Sequence, residues 1–192
     1  MQKSKKNYLN FSPKFLLLLV FCLLVRLIPM RAPNIEPILA SAMPMSRAYG
    51  AIFGFSFGAL SIFIYDLVTG TLGVHTVFTA GAYGLLGLWA ASYFKKQNTN
   101  KWSYVKFAIM GTLFFDAITG LTVGPIFFNQ SFTQALAGQI PFTALHLLGN
   151  ITFAYVLSPG IYNFLIKKKI HIPIDKKKES LTPISNLNPK TI

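Results

Sequence analysis

The sequence predicts an all-α integral membrane protein, a bundle of about six transmembrane helices, on three observations. Of its 192 residues, 53% are hydrophobic and only 12% charged, where a soluble domain carries about 25% charged residues. The apolar residues gather in long runs, several of about 20 residues, and at about 1.5 Å per residue such a run crosses the ~30 Å hydrocarbon layer. The lysines and arginines sit in blocks that flank these runs, as the positive-inside rule places them.

Taken in order, a basic N-terminus (1–14) precedes a first helix from about Phe15 to Ile28. It resembles a signal peptide, but Arg26, Leu27, Ile28 and Pro29 stand where a small-residue cleavage site would be, so the segment reads as an uncleaved membrane helix. A polar hinge, Arg31 to Pro37, leads to a short second segment, about Ile38 to Met45, that contains Pro44 and reads as a tilted or broken helix. Segment three runs from about Ala48 to Val68 and segment four from about Val74 to Phe94. After the polar loop Lys95 to Lys101 comes segment five, about Tyr104 to Ile118. A long semi-polar connector, Leu121 to Phe142, precedes segment six, about Thr143 to Ile166. In the connector, Pro125 to Gln134 mixes aromatic and amide groups and reads as a lid, a re-entrant loop or an interfacial anchor. The transmembrane domain is thus 15–166. The basic remainder, 167–192, with three prolines, is expected to be disordered. The single cysteine, Cys22, lies in the first apolar run and excludes an internal disulfide framework.

With six crossings both termini share a side. Placing them in the cytoplasm leaves only Arg26 and Arg31, of 18 basic residues, away from it; withdrawing segment two would put the Lys95–Lys101 loop outside and break the rule. The expected location is therefore a cell membrane, multi-pass, with N- and C-termini cytoplasmic. The same pattern accounts for the net charge of +13 without a nucleic-acid partner, since the lysines flank apolar runs and do not cover a folded polar face.

An internal repeat is visible. Asp66-Leu67-Val68-Thr69-Gly70 and Asp116-Ala117-Ile118-Thr119-Gly120 share the pattern Asp-x-x-Thr-Gly, fifty positions apart. Phe78-Thr79-Ala80 and Gly84-Leu85-Leu86-Gly87 echo Phe142-Thr143-Ala144 and His146-Leu147-Leu148-Gly149. Segments three and four, and five and six, read as two parallel copies of one helix pair, and transporter sites form where such copies meet.

The acids ahead of the tail are Glu36, Asp66 and Asp116. All fall at non-cytoplasmic helix ends or in the hinge. A charge deep in lipid costs about 2.5–3.5 kcal/mol on insertion scales, so such groups face a cavity or a partner. A helix C-terminus also disfavours an anion. These acids, with Asn34, Thr69 and Thr119, are candidate ligand-binding residues. His75 opens segment four; His146 and Asn150, four apart, share a face of segment six. They serve either the same pocket or helix-to-helix hydrogen bonding. Three His without a Cys nearby do not make a metal site, and neither metal nor cofactor is expected. The rows Gly50, Gly54, Gly58 and Gly81, Gly84, Gly87 read as close-packing faces.

The run Arg26 to Ile38, with Pro33-Asn34-x-x-Pro37 as its sharpest element, followed by the Asp-ended segment three, resembles a family of small bacterial membrane proteins similar to the substrate-binding S components of energy-coupling factor (ECF) transporters. The resemblance covers roughly Arg26 to Phe164. It implies a six-helix receptor in a bacterial plasma membrane for a vitamin-like small molecule. The outer loops and outer helix halves would hold the ligand, beside a transmembrane coupling subunit and two ATPases. The S component itself hydrolyses nothing, and this chain has no Gly-rich Lys-Ser/Thr phosphate loop. It departs from the docking pattern Ala-x-x-x-Ala, since Phe15 to Cys22 holds no alanine.

The expected function is a substrate-binding membrane subunit of a small-molecule importer, with Tyr83 and Phe142 packing the apolar part of the ligand. Two other classes compete. In a structural or assembly scaffold the polar residues would only join helices. In an intramembrane aspartyl enzyme, Asp66 and Asp116 would share a proton, although the Gly-x-Gly-Asp motif of such proteases is missing.

Overall fold

The computed structural model describes residues 13–30, 34–97 and 100–167. The basic N-terminus, Arg31 to Pro33 in the hinge and the tail expected to be disordered lie outside the described residues. Among the described residues all regular structure is helical: α1 (Pro13–Arg26), α2 (Ile38–Tyr49), α3 (Ala51–Thr69), α4 (Val74–Lys96), α5 (Lys101–Gly120), α6 (Val123–Phe127), α7 (Phe132–Val156) and α8 (Ser158–Ile166). Three spans are long and apolar enough to cross a membrane: α3, α4, and α5 continued through α6. The pair α7 and α8, bent by 43°, makes a fourth if counted as one span.

At 14 and 12 residues, α1 and α2 are each about 20 Å long, short of a full crossing. The two are used differently. Leu16, Leu17, Val20 and Leu24 of α1 face outward. In α2 every residue from Ile38 to Ser46 is buried, and it packs against α1, α3, α4, α5, α7 and α8. A helix enclosed on all sides tolerates no polar outer face, and the run from Ile38 to Ser46 carries no charge. Around α2 stands an aromatic core that includes Phe57, Tyr83, Phe94, Tyr104 and Phe107.

Pro44 inside α2 lacks an N–H, so the carbonyl of Ala40 loses its helical partner. Ser158, at the start of α8, supplies the donor: its Oγ donates to Ala40 O at 2.8 Å, fully buried. Removing that hydroxyl strands a buried carbonyl, at a cost of about 1–3 kcal/mol. Ser158→Ala is therefore expected to lower stability by about that amount in a detergent or denaturant titration. In a Pro44→Ala background, where residue 44 can again donate to Ala40, the loss should largely vanish. Equal losses in both backgrounds would refute the assignment.

α3 and α4 lie backbone to backbone. A Cβ on Gly58 would stand 2.8 Å from the carbonyl carbon of Tyr83, and one on Gly54 2.9 Å from Gly87 O. The glycine row is thus an internal packing face, as in small-residue helix pairs. Gly50 serves the chain path instead. With φ of 97° it turns the chain sharply between α2 and α3, a conformation that strains any L side chain.

The last two segments depart from expectation. The connector is much shorter than Leu121 to Phe142, because α7 begins at Phe132. Its start is a capping box in which Ser131 Oγ accepts from Gln134 N at 3.3 Å and Gln134 Oε1 accepts from Ser131 N at 3.2 Å. Pro141 sits within α7 and made its first half look like loop. The expected sixth helix breaks at Leu157, where Pro159 occupies the first turn of α8 and cannot donate to the preceding turn. Of the connector only α6 and a few flanking residues remain, held to α4 by a ring contact between Phe127 and Phe78 at 5.1 Å.

Basic side chains tie together one end of the bundle. Lys14 Nζ donates to the carbonyls of Phe164, Leu165 and Lys167 at 2.7, 3.0 and 2.6 Å. Arg47 Nη1 donates to Phe94 O and to Gln97 O. Each cation thereby sits at the negative end of a helix dipole, that of α8 for Lys14 and of α4 for Arg47. The start of α1 and the ends of α2, α4 and α8 thus lie together, and the acids lie at the other end.

Candidate functional site

At that other end a cavity of about 300 Å³ opens between α1, the hinge, α3, α4, α5 and α7. Of the residues singled out in the sequence, Asn34, Glu36, Asp66, His75, Thr119 and His146 line it. Thr69, Asp116 and Asn150 do not. Thr69 Oγ1 donates back to Tyr65 O of its own helix at 2.8 Å. Asp116 stands behind His146, and Asn150 lies one turn deeper, where its Nδ2 donates to Thr112 Oγ1 at 2.8 Å and joins α7 to α5.

Asp66 ends α3, where its own helix dipole disfavours a carboxylate. Its oxygen turns instead to the start of α4. Oδ2 accepts from Thr76 Oγ1 at 2.6 Å, and Thr76 Oγ1 itself accepts from Gly73 N at 3.1 Å. A negative group beside the N-terminus of α4 is favoured by that helix's dipole. His75 Nε2, half exposed, lies 3.9 Å from the same oxygen. The Gly70-Thr71-Leu72-Gly73 turn brings the two helix ends together, and Gly70 at φ 71° reverses the chain.

Glu36 precedes α2 and is buried. Oε2 pairs with Arg26 Nε at 3.0 Å and Oε1 accepts from Tyr83 Oη at 2.6 Å. The Arg26 guanidinium also lies over the Tyr65 ring, 3.8 Å from its centroid, a cation–π geometry. Asn34 adopts φ of 63°, a left-handed conformation that Asn tolerates better than most residues. On the far wall, His146 Nδ1 is 2.7 Å from Asp116 Oδ1, and His146 Nε2 is 3.4 Å from Tyr83 Oη. A continuous chain of polar contacts therefore runs Arg26–Glu36–Tyr83–His146–Asp116.

Three of these groups keep unused capacity: Arg26 Nη1 and Asn34 Nδ2 as donors and Asp116 Oδ2 as acceptor are buried without a partner. Ile62, Phe115 and Phe142 supply the apolar part of the lining. A polar and an apolar side within about 300 Å³ is the usual make-up of a small-molecule site, at the small end of the range. No cluster of three or more metal-ligating side chains occurs among the described residues.

Sequence reasoning placed Tyr83 and Phe142 as aromatic packing and passed over Arg26 and Thr79, which also line the cavity. In the sequence Arg26 marked the missing cleavage site, the start of the run that carries the resemblance, and a positive charge away from the expected cytoplasmic side, but not a site residue. Its position at the end of an apolar run, ten residues before Glu36, is the signal that could have found it, because a charge there needs a partner.

Over the described residues, fold and site define an all-helical protein, compatible with a membrane environment, with many large apolar side chains facing outward and with Glu36, Asp66 and Asp116 buried. Comparison with protein-family profiles, with curated proteins and with solved structures finds no match to the chain.

Proposed function

We propose that this protein is the substrate-binding membrane subunit of a small-molecule importer, similar to ECF S components. It would cross the membrane six times with both termini in the cytoplasm, α1 and α2 serving as the two short passes and α7 with α8 as the last. The observation that carries the reading is the convergence of Asn34, Glu36, Asp66, His75, Thr119 and His146 on one cavity. The bonding pattern narrows the ligand. Glu36 is matched by Arg26, and Asp116 stands behind His146 and does not line the cavity, so Asp66, with Thr76 and a distant His75, is the carboxylate left to receive an amino or hydroxyl donor. Arg26 Nη1 and Asn34 Nδ2 offer hydrogens to an acceptor across the cavity. A small vitamin-like molecule with a donor at one end, an acceptor at the other and an apolar middle fits. A polyanion does not.

Thermal-shift screening of the detergent-purified protein against vitamins and their precursors tests this. At least one compound is expected to raise Tm, and Asp66→Asn is expected to abolish that rise while the protein still folds. If no compound stabilises the protein and Asp66→Asn brings only a folding defect, the scaffold reading replaces the receptor. One observation favours that second reading: Glu36 and Asp116 already have partners within the chain. The aspartyl-enzyme reading has less support, because Asp66 and Asp116 are held by different partners, Thr76 and His146.

A further inference from the structure

A second cavity, of about 290 Å³, lies at the basic end between α2, the α2–α3 junction at Gly50, α4 and α8. Among the described residues its only charged lining residues are the cations Arg47 and Lys95; Ser46, Gly50, Phe94 and Tyr162 complete most of the wall. Arg47 is fixed there. Nη1 is held by the carbonyls of Phe94 and Gln97, and its guanidinium carbon lies 5.4 Å from the Tyr162 ring centroid. Its Nε is buried and has no hydrogen-bond partner. Among the described residues no carboxylate neutralises the pair, because Glu36, Asp66 and Asp116 all belong to the opposite end.

A buried guanidinium N–H without an acceptor is costly, and the Nε edge of arginine is shaped to take two oxygens of one oxyanion. We propose that this cavity is a binding site for a phosphate group, gripped by Arg47 with Lys95 as the second cation. The group is either the headgroup of an anionic phospholipid or free phosphate. Basic pockets between helices at the cytoplasmic side of a bilayer take lipid headgroups. The assignment does not depend on the importer reading, since it uses the other end of the molecule and none of its residues.

The full chain in a neutral detergent is titrated with inorganic phosphate against chloride at equal ionic strength, and with short-chain phosphatidylglycerol against short-chain diacylglycerol. A saturable rise in Tm with at least one of the two phosphate-bearing probes is expected, and the probe that gives it identifies the source. Lys95→Ala is expected to raise the half-saturating concentration about tenfold, the loss of one charge-assisted hydrogen bond. Arg47→Lys, which keeps the charge but not the fork, should weaken binding while the helical circular dichroism is retained. Lys106→Ala, exposed on α5, should leave binding unchanged. The proposal is overturned if neither probe exceeds its control, if Lys95→Ala changes nothing, or if Lys106→Ala weakens binding as much as Lys95→Ala does.

Discussion

Gly58→Val is expected to destroy the contact between α3 and α4 and with it the folded protein. The atoms that a new Cβ would meet are not side chains that can swing away. They are the carbonyl carbon of Tyr83 at 2.8 Å and the amide nitrogen of Gly84 at 3.3 Å. Two helix backbones would have to separate, and neighbouring contacts such as Gly54 against Gly87 would open with them. Overpacking a well-filled interface costs about 1–3 kcal/mol, and more when backbone must move. Gly58→Ala should therefore lose about 1–3 kcal/mol and Gly58→Val more. The effect should reach the cavity, because Asp66 and Tyr83 ride on the same two helices. Gly81→Ala is the control with the opposite sign. Apart from its own stretch of helix, no atom lies within 4 Å of its Cβ position, and alanine in a helix interior is favoured over glycine by about 0.5–1 kcal/mol. Unfolding in mixed micelles, with circular dichroism as the readout, measures all three. A Gly58→Val protein as stable as the parent would refute the close approach.

That contact was legible in the sequence, since glycines at every fourth position of an apolar run have few other uses. The membrane-length helices were legible for the same reason: α3 and α4 are continuous, apolar and bounded by Gly or Lys. What the sequence concealed has a common physical cause. Wherever proline entered a helix, local propensity and the final structure disagreed. Pro141 disguised the first half of α7, although Ser131 and Gln134 stood at capping-box spacing. Segment two, short and holding Pro44, read as a tilted or broken helix; tertiary packing keeps α2 helical from Ile38 to Tyr49, and Ser158 answers the lost hydrogen bond. Much of the candidate site was readable from the cost of placing Glu36, Asp66 and His146 among apolar neighbours. Which of them would face the cavity was not. Thr69 and Thr119 occupy equivalent places in the repeated Asp-x-x-Thr-Gly motif, and both donate to a carbonyl four residues back. Of the two, Thr119 meets the cavity, where α7 packs against α5, whereas Thr69 is exposed. Pairing across helices is likewise absent from any local pattern, so Arg26 and Glu36 could each be noticed but not joined.

The joining of Arg26 to Glu36 carries the second large expectation. Their side chains are 13% and 8% exposed, so neither charge is solvated well by water. Removing one member of a buried pair leaves the other uncompensated, at a cost of about 3–5 kcal/mol. Arg26→Met keeps an unbranched apolar stem reaching about as far as Nε but removes the charge and the guanidinium over Tyr65. Glu36 then retains only the Tyr83 hydroxyl, so a stability loss of about 3 kcal/mol is expected, the lower end being set by protonation of the stranded carboxyl. Arg26→Met combined with Glu36→Gln should recover most of that loss. The amide oxygen of glutamine still accepts from Tyr83, and no buried charge is left. The non-additivity of this cycle is the coupling between the two residues. If the double variant is no more stable than Arg26→Met alone, the pair is not what holds the hinge against α1. Any ligand found by thermal shift adds a separate readout. A molecule whose acceptor rests on Arg26 Nη1 should fail to stabilise even the recovered double variant, whereas a ligand held by Asp66 alone should stabilise it as before. The stability cycle therefore tests the ion pair, and ligand response in the rescued protein tests whether Arg26 also belongs to the binding surface.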